Sequence, residues 1–368
     1  MDTFAFIIHP IDPKRDVSRK FPLLGKVLTE RQIDFFSTFF PPVYISEITG
    51  IVSQATGKEI KGWFVACPLT PRRMLELPER VVYRKIIQTG RMAERLGAKI
   101  LGLGAFTSVV GDGGVTIARA LDIPVTTGDA YTVAVAVEAL LEAARLLEIT
   151  LAEVTAAVVG ASGAIGRVVA EMLAERVGEI VLIGRRRGAL EVEQARLRDL
   201  GVPARVHIST DIADLQRAHL VVTVSSALDA IVEPQHLRPG SVVCDVARPR
   251  DVSAQVAAAR DDVLVIDGGM VEVPGPVDFH FDFGFPPRHA YACMAETMAL
   301  ALEGRFEDYT VGKHITRAQV EEIVRIARKH GFRLNGFRSF EQPVTMEYIA
   351  RVRERAKRQR ATLKRRHP

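Results

Sequence analysis

Apolar positions in this chain come in two patterns. Short runs rich in β-branched residues predict strands at Phe4–Ile8, Val43–Val52, Glu59–Ala66, Lys99–Leu103 and Pro124–Thr126. Between them, Phe21–Phe40 and Arg80–Leu96 read as helices, the first stopped by Pro41-Pro42 and the second by Gly97. The five phenylalanines of the first (Phe21, Phe35, Phe36, Phe39, Phe40) read as core, or else as the wall of a site for a greasy ligand. Ala130–Leu147 is apolar almost all round, as in a helix packed on every side. Six further runs then alternate with helices: Val154–Val159, Glu179–Ile183, Ala204–Ile208, Leu220–Val224, Val242–Val246 and Val263–Ile266. This alternation predicts a doubly wound parallel sheet. A last helical stretch is predicted over Arg288–Leu302, after Pro286-Pro287. The predicted fold class is α/β: an N-terminal α/β lobe, then a Rossmann-type doubly wound parallel sheet, with C-terminal helices. The expected boundaries are 1–129 for a substrate lobe, 130–152 for a connecting helix and 153–285 for the dinucleotide domain. Residues 286–334 would form the C-terminal helices and 335–368 a basic extension.

The stretch Glu153–Arg187 organises the rest. A strand ends at Gly160, and Gly160, Gly163 and Gly166 follow at three-residue intervals within GASGAIG. Glycines there let the backbone turn sharply and approach a pyrophosphate, and the following helix points free N–H groups at it. Gly160, Ser162, Gly163, Ala164, Ile165 and Gly166 are therefore candidate cofactor contacts. The stripe Ile165, Val168, Val169, Met172, Leu173 lays that helix on a sheet. At the tip of the next strand, where NAD-binding chains usually carry an acidic residue, stand Gly184 and Arg185-Arg186-Arg187. Arg185 and Arg186 suit a 2′-phosphate, so the expected cofactor is NADPH. Ser225, after the fourth strand, and Asp267, Gly268 and Gly269, after the sixth, complete the candidate cofactor set. In the first lobe, the glycine- and hydroxyl-rich loop with Gly104, Phe106, Thr107 and Ser108, and Thr127 in Thr127-Gly128-Asp129, are candidate substrate contacts.

Composition narrows the class. The 368 residues are 48% hydrophobic and 25% charged, as in a soluble globular protein, and no apolar run is long enough to span a bilayer. The start MDTFAFIIHP lacks the basic region of a signal peptide, so a cytoplasmic location is expected. The net charge of +5 is misleading. Arg351–Pro368 holds nine Lys/Arg and one Glu, so this tail carries +8 and the body −3. The tail reads as a solvated helix or as a handle for an acidic protein or nucleic acid; nucleic acid is not the favoured partner. Three scattered cysteines without metal spacing predict no disulfide framework and no metal site. Cys67, beside Pro68, and Cys244, inside a strand, read as inert.

Cys293 differs from both. At about 100° per residue, Tyr291, Met294, Ala295, Met298 and Leu302 share one stripe, and Cys293 lies about 160° away with His289, Glu296 and Thr297. A helix amino end beside Arg288 and His289 is expected to lower a thiol's pKa, although Glu296 opposes this. Cys293 is thus the candidate nucleophile, with a structural role as the alternative.

The segment Asp267–Thr297 resembles the region around the reactive cysteine of the aldehyde-forming long-chain acyl-[acyl-carrier-protein] reductase family. Asp267-Gly268-Gly269, Val271-Glu272, Pro286, Arg288, Ala292-Cys293 and Ala295-Glu296 carry the likeness. Leu103–Ser108, Thr126-Thr127-Gly128, GASGAIG and Lys329–Arg333 agree in order. The resemblance spans about residues 43–333; the first 42 residues and the basic extension depart from it. It implies a two-step reaction. Cys293 takes an acyl group from an acyl carrier protein or acyl-CoA thioester, NADPH supplies hydride, and a fatty aldehyde leaves. It also admits an aldehyde-consuming enzyme as partner. His289 is the candidate to poise the thiolate or supply a proton, against an ordinary surface histidine. Oxyanion donors are sought among the backbone around Gly104–Ser108, Thr127 and His289. Two rivals remain. A shikimate-type NADP-dependent dehydrogenase shares the layout, but the S-x-P-x-K-type motif of its first lobe is absent here. A non-catalytic NADPH-binding protein would use the basic tail on nucleic acid.

Overall fold

The computed structural model describes residues 1–366, with side chains to residue 359; the end of the basic tail, His367 and Pro368, lies outside the described residues. The chain forms two compact units: Met1–Tyr131 with Val271–Arg333, and Thr132–Met270 with the chain from Leu334 on.

The first unit is built on five strands: β1 (Asp2–Ile8), β2 (Val43–Val52), β3 (Glu59–Ala66), β4 (Leu101–Leu103) and β5 (Val125–Thr126). Their order is β2-β3-β1-β4-β5, parallel except for the antiparallel edge strand β2. Three short helices, α1 (Pro13–Lys20), α2 (Pro22–Val27) and α3 (Glu30–Ser37), lie between β1 and β2. Helices α4 (Pro71–Glu76) and α5 (Glu79–Arg95) link β3 to β4, and α6 (Phe106–Val109) and α7 (Val115–Ala120) link β4 to β5. Helix α8 (Asp129–Leu146) follows β5 and is buried along most of its length.

The second unit is the predicted Rossmann-type sheet. Strands β6 (Thr155–Val159), β7 (Glu179–Ile183), β8 (Arg205–Ser209), β9 (Leu220–Thr223), β10 (Val242–Asp245) and β11 (Leu264–Ile266) alternate with α9 (Ala164–Ala174), α10 (Arg187–Asp199) and α11 (Ala254–Ala259). All six are parallel, in the order β11-β10-β9-β6-β7-β8. The strand order reverses between β6 and β9, which makes that junction the switch point of a doubly wound fold. Val159, Val181, Val221, Val243 and Val265 pack one face of the sheet. The predicted strands match the observed ones to within a residue or so, because buried parallel strands are near-continuous apolar runs bounded by turn residues.

After β11 come β12 (Gly269–Glu272), β13 (His289–Ala290), α12 (Ala292–Glu303) and α13 (Arg317–His330). The chain ends in β14 (Arg333–Ser339), β15 (Gln342–Pro343) and α14 (Met346–Arg366). Although it follows the Rossmann strands in sequence, α12 belongs to the first unit and packs on β1, β3 and β4. It lies very close: a Cβ on Gly102 would stand 2.1 Å from Thr297 Oγ1 and 2.5 Å from the Phe6 ring. Leu101, on the opposite face of β4, underlies α5 at Gly90. The sheet is therefore covered on both faces. Among the described residues, no helix is long and apolar enough to cross a membrane.

Two expectations are corrected here. The helix predicted from Arg288 starts only at Ala292: Arg288 has a left-handed φ of 65°, and His289-Ala290 pair as a strand with Val271-Glu272. Backbone pairing outcompetes the helix there. The single helix predicted over Phe21–Phe40 is two, because Leu28 is extended and Thr29 with Gln32 forms a capping box that starts α3 afresh. Its phenylalanines are not core: all five are exposed.

The seating of α12 on β4 gives a test. Gly102→Ala forces a methyl into that contact and should cost about 1–3 kcal/mol. The one tryptophan, Trp63 on β3, is buried in the same unit and reports its unfolding. A lower denaturant midpoint of Trp63 fluorescence is expected; an unchanged midpoint would show that α12 yields freely.

Candidate active site

Of the three cysteines, Cys67 and Cys244 are completely buried, and only Cys293 is partly accessible. Burial pushes the Cys67 thiol up to about 11 and the Cys244 thiol up to about 12, as suits inert packed thiols. Cys293 is the second residue of α12, and almost everything around it on the helix is buried, including Glu296 and Thr297. The polar face of the helix is thus enclosed.

That face meets the turn after β5. Glu296 accepts hydrogen bonds from the Thr126 hydroxyl, from Thr310 Oγ1 at 3.0 Å and from the Tyr131 backbone N–H at 2.8 Å. The last of these fills an open donor in the first turn of α8. Thr127 Oγ1 donates to the Thr310 carbonyl at 2.9 Å. The turn approaches so closely that a Cβ on Gly128 would stand 2.3 Å from Cys293 Cβ and 2.4 Å from its Cα. Gly128 also has a φ of 77°, so glycine is required twice over.

The next residue, Asp129, is partly accessible like Cys293. Burial, then the charge of Glu296, push its carboxyl up to about 8, against a hydrogen bond from Thr127. It is mostly protonated at neutral pH. Cys293 is pushed up to about 12 by burial first and then by Asp129, with Glu296 adding to it; the amides at the start of α12 pull weakly the other way. The expected lowering of this thiol's pKa is therefore corrected. Arg288 is turned to Glu272, with Nη2 to Oε1 at 2.9 Å, and His289 sits on β13 with Nδ1 2.8 Å from the Pro287 carbonyl. Carboxyls, not cations, surround the sulfur.

The loop with Gly104, Phe106, Thr107 and Ser108 leaves the same edge of the sheet, after β4 and beside β5. Its polar groups are largely spent on itself. The Gly104 N–H donates to Thr107 Oγ1 at 3.0 Å, and the Thr107 and Ser108 amides donate to the Gly104 and Ala105 carbonyls. The Phe106 N–H donates to Nε2 of His9 at 3.1 Å. Burial pushes the His9 ring down to about 4, so it is a neutral acceptor. His9 and Asp129 escaped the sequence reading; the only signals were a His at a strand end and an acid opening a helix.

In the second unit, the glycine turn lies at the switch point: a Cβ on Gly160 would stand 2.8 Å from the Val224 carbonyl, and one on Gly166 2.2 Å from the Gly160 carbonyl. Helix α9 starts at Ala164 after Gly163, which gives it no side-chain cap, and Ser162, Gly163, Ala164 and Ile165 are all at least partly accessible. An open N-terminus of this kind fits a pyrophosphate. Arg185 and Arg186 are exposed at the tip of β7. Ser225 is gripped by Asp251, which accepts from its N–H at 2.9 Å and from its hydroxyl. Asp267 is tied to Arg250 at 2.8 Å and to the Glu341 N–H at 2.7 Å, so its carboxylate holds the local chain together. Gly268 has a φ of 69° with open space around it, whereas a Cβ on Gly269 would strike Leu334 and Val135.

No family model matches the chain. It is 30% identical over 361 residues to the aminotransferase PigE of Serratia sp. (strain ATCC 39006), covering 95% of this chain but spanning only 42% of that protein. It is 29% identical over 346 residues to the long-chain acyl-[acyl-carrier-protein] reductase of Synechococcus elongatus, covering 89% of this chain and 98% of the relative. Among solved structures, the L-tryptophan dehydrogenase of Nostoc punctiforme aligns over 98% of this chain and 89% of its own, with 13% identity and a TM-score of 0.40.

The carboxyl beside the sulfur makes a pH-dependent prediction. At about pH 6 Asp129 is protonated and its replacement by Asn should hardly change the thiol. Above about pH 8 the wild-type carboxylate repels a thiolate, so Asp129→Asn lowers the thiol pKa there. Iodoacetamide alkylation of Cys293, followed by intact mass, should be about tenfold faster in the variant at about pH 9 and near equal at pH 6. Equal rates at both would separate Asp129 from the sulfur electrostatically.

Proposed function

We propose that this chain is an NADPH-dependent reductase of long-chain acyl thioesters that releases a fatty aldehyde through an acyl group on Cys293. The observation that carries the reading is the pairing of the one reachable cysteine with a carboxyl held near neutrality, in a chain whose other unit presents an open dinucleotide turn. The Synechococcus relative, similar over nearly the whole of both chains, supports the same reaction class. In this reading the first unit binds the acyl donor, an acyl carrier protein or acyl-CoA, and the second binds NADPH.

The resting thiol is neutral, so attack on a thioester carbonyl must be coupled to loss of its proton. The ionised fraction of Asp129 accepts that proton as the sulfur–carbon bond forms, and returns it to the departing carrier thiolate as the old bond breaks. A carboxyl titrating at about 8 is matched to such an exchange near neutral pH. When bound, NADPH supplies the hydride that takes the acyl carbon to the aldehyde level. Gly160–Gly166 would hold its pyrophosphate, and Arg185 with Arg186 its 2′-phosphate. Asp129, ionised once the carrier thiol has left, regains a proton from solvent; collapse of the reduced adduct then releases Cys293 as a thiolate, and protonated Asp129 restores the thiol. Glu296 acts at one remove, as a positioning residue that sets the Gly128–Asp129 turn against the sulfur. His289, whose Nδ1 lies 2.8 Å from the Pro287 carbonyl, is assigned no step in this reading.

Mixing the protein with a long-chain acyl-CoA or acyl-carrier thioester, without NADPH, should add one acyl mass to wild type and none to Cys293→Ala. NADPH should then discharge it as aldehyde. Absence of an adduct with both donors would overturn the covalent reading and leave a dehydrogenase that acts without one.

Cofactor choice is tested separately. Arg185→Ala with Arg186→Ala should raise KM for NADPH about tenfold or more while leaving that for NADH nearly unchanged. Equal effects on both would assign these arginines to something other than the 2′-phosphate.

A further inference from the structure

The short helices between β1 and β2 expose what soluble surfaces usually hide. Leu23 is 77%, Val27 78% and Phe39 70% exposed, and Phe21, Leu24, Phe35, Phe36 and Phe40 are exposed as well. Single exposed apolar residues are ordinary, but eight large ones within twenty positions are not. Helix α1 packs on both α2 and α3, so the exposed residues lie on adjoining elements. Phe35 touches Phe36 and Phe39 ring to ring, with centroids 5.4 and 5.6 Å apart. These rings cluster with one another at the surface and not with the core.

Charge says what would cover them. Residues 13–40 hold six Lys/Arg and three Asp/Glu, a net +3. The body without the basic tail carries −3, so outside this segment it carries −6. The positive charge of the body is thus concentrated around its largest apolar exposure. Some of it is turned inward: Lys20 Nζ donates to the Ile45 carbonyl at 2.6 Å, and Arg19 faces Asp16. Lys26 on α2, Arg31 on α3 and Arg72 on α4 are exposed. Apolar side chains exposed on the same adjoining short helices as these cations, with Glu30 the one exposed acid of α2 and α3, match the boundary of an anionic bilayer. The chains enter the acyl region and the cations meet lipid phosphates.

We propose that α2, α3 and the Phe39-Phe40 segment form a docking surface for an anionic lipid bilayer, entered from one side without a membrane span. This is independent of the acyl-thioester reading, since the surface needs no turnover to act. An acidic protein would also suit the charge. It would need pockets matched to Leu23, Val27 and Phe39, whereas fluid lipid accepts projecting side chains of any outline, so the bilayer is the favoured occupant.

The test is flotation of the full chain with phosphatidylcholine vesicles and with phosphatidylcholine–phosphatidylglycerol vesicles at about 7:3. Wild type should float with the anionic vesicles, less so as salt rises. Phe39→Ser alone should weaken partitioning about tenfold, and Leu23→Ser/Val27→Ser/Phe39→Ser should abolish it within the assay. Lys26→Glu/Arg31→Glu/Arg72→Glu should remove the preference for anionic vesicles. All replaced side chains are exposed, so the Trp63 unfolding midpoint should not move. Binding that survives the triple serine substitution belongs to the basic tail and overturns the proposal. So does a wild type that fails to float. A wild-type dimer that the serine substitutions dissolve, or an acidic acyl carrier protein that binds this face while vesicles do not, would hand the surface to another occupant.

Discussion

Glu296 is fully buried, which pushes its carboxyl above the usual range, and hydrogen bonds from three other segments hold it in place. The hydroxyls of Thr126 and Thr310 and the amide of Tyr131 all converge on its two oxygens. Removing one partner from such a cluster leaves a buried polar atom unsatisfied, which costs more than losing an exposed contact would. The cluster ties α12, the end of β5, the start of α8 and the chain before α13 to one another. The geometry around the sulfur follows from it, because Thr126 and Tyr131, on either side of the Gly128–Asp129 turn, are both bonded to Glu296.

The close approach is enforced from both sides. Gly102 lets α12 rest on the sheet, and Gly128 lets the turn rest on Cys293; a methyl at either point would overlap neighbouring atoms. Two carboxyls then stand near one thiol, and burial with like charge keeps both Asp129 and Cys293 protonated at rest. A thiol held neutral in this way is slow toward oxidants, since the thiolate is the reactive form. In the proposed reaction it becomes nucleophilic only as the neighbouring carboxyl takes its proton, so reactivity waits on a correctly placed electrophile.

The chain crosses between its two units to make this arrangement. It builds a mostly parallel sheet, passes through α8 into the Rossmann-type sheet, and returns after β12 to lay α12 on the first sheet. The thiol and the glycine turn thus rest on different sheets, although fewer than forty residues separate α12 from the last Rossmann strand. The lipid-facing surface proposed for α2 and α3 lies on the same unit as Cys293. That is where a water-insoluble acyl product would form in the proposed reaction.

Local patterns were enough for the strands of the five- and six-stranded sheets, for the glycine turn and for the separation of Cys293 from Cys67 and Cys244, but not for the short strands β12 to β15. Each depends on the period of apolar residues or on a turn's backbone demands, which neighbouring residues express directly. The surroundings of Cys293 were not legible. The helix wheel put it opposite the apolar stripe and among polar residues, which is where it lies. Whether that face met water or other protein groups depended on β5 and α8, about 165 residues away in sequence. Arg288 and His289 looked like cations at a helix start only until pairing with β12 drew them into a strand. The five phenylalanines of residues 21–40 read as core, and only the packing of three short helices decided that they face outward. In each case sequence set the chemistry of a group, and tertiary structure set its dielectric surroundings and charged neighbours. Those surroundings determine a thiol's pKa and whether an apolar side chain is core or docking surface.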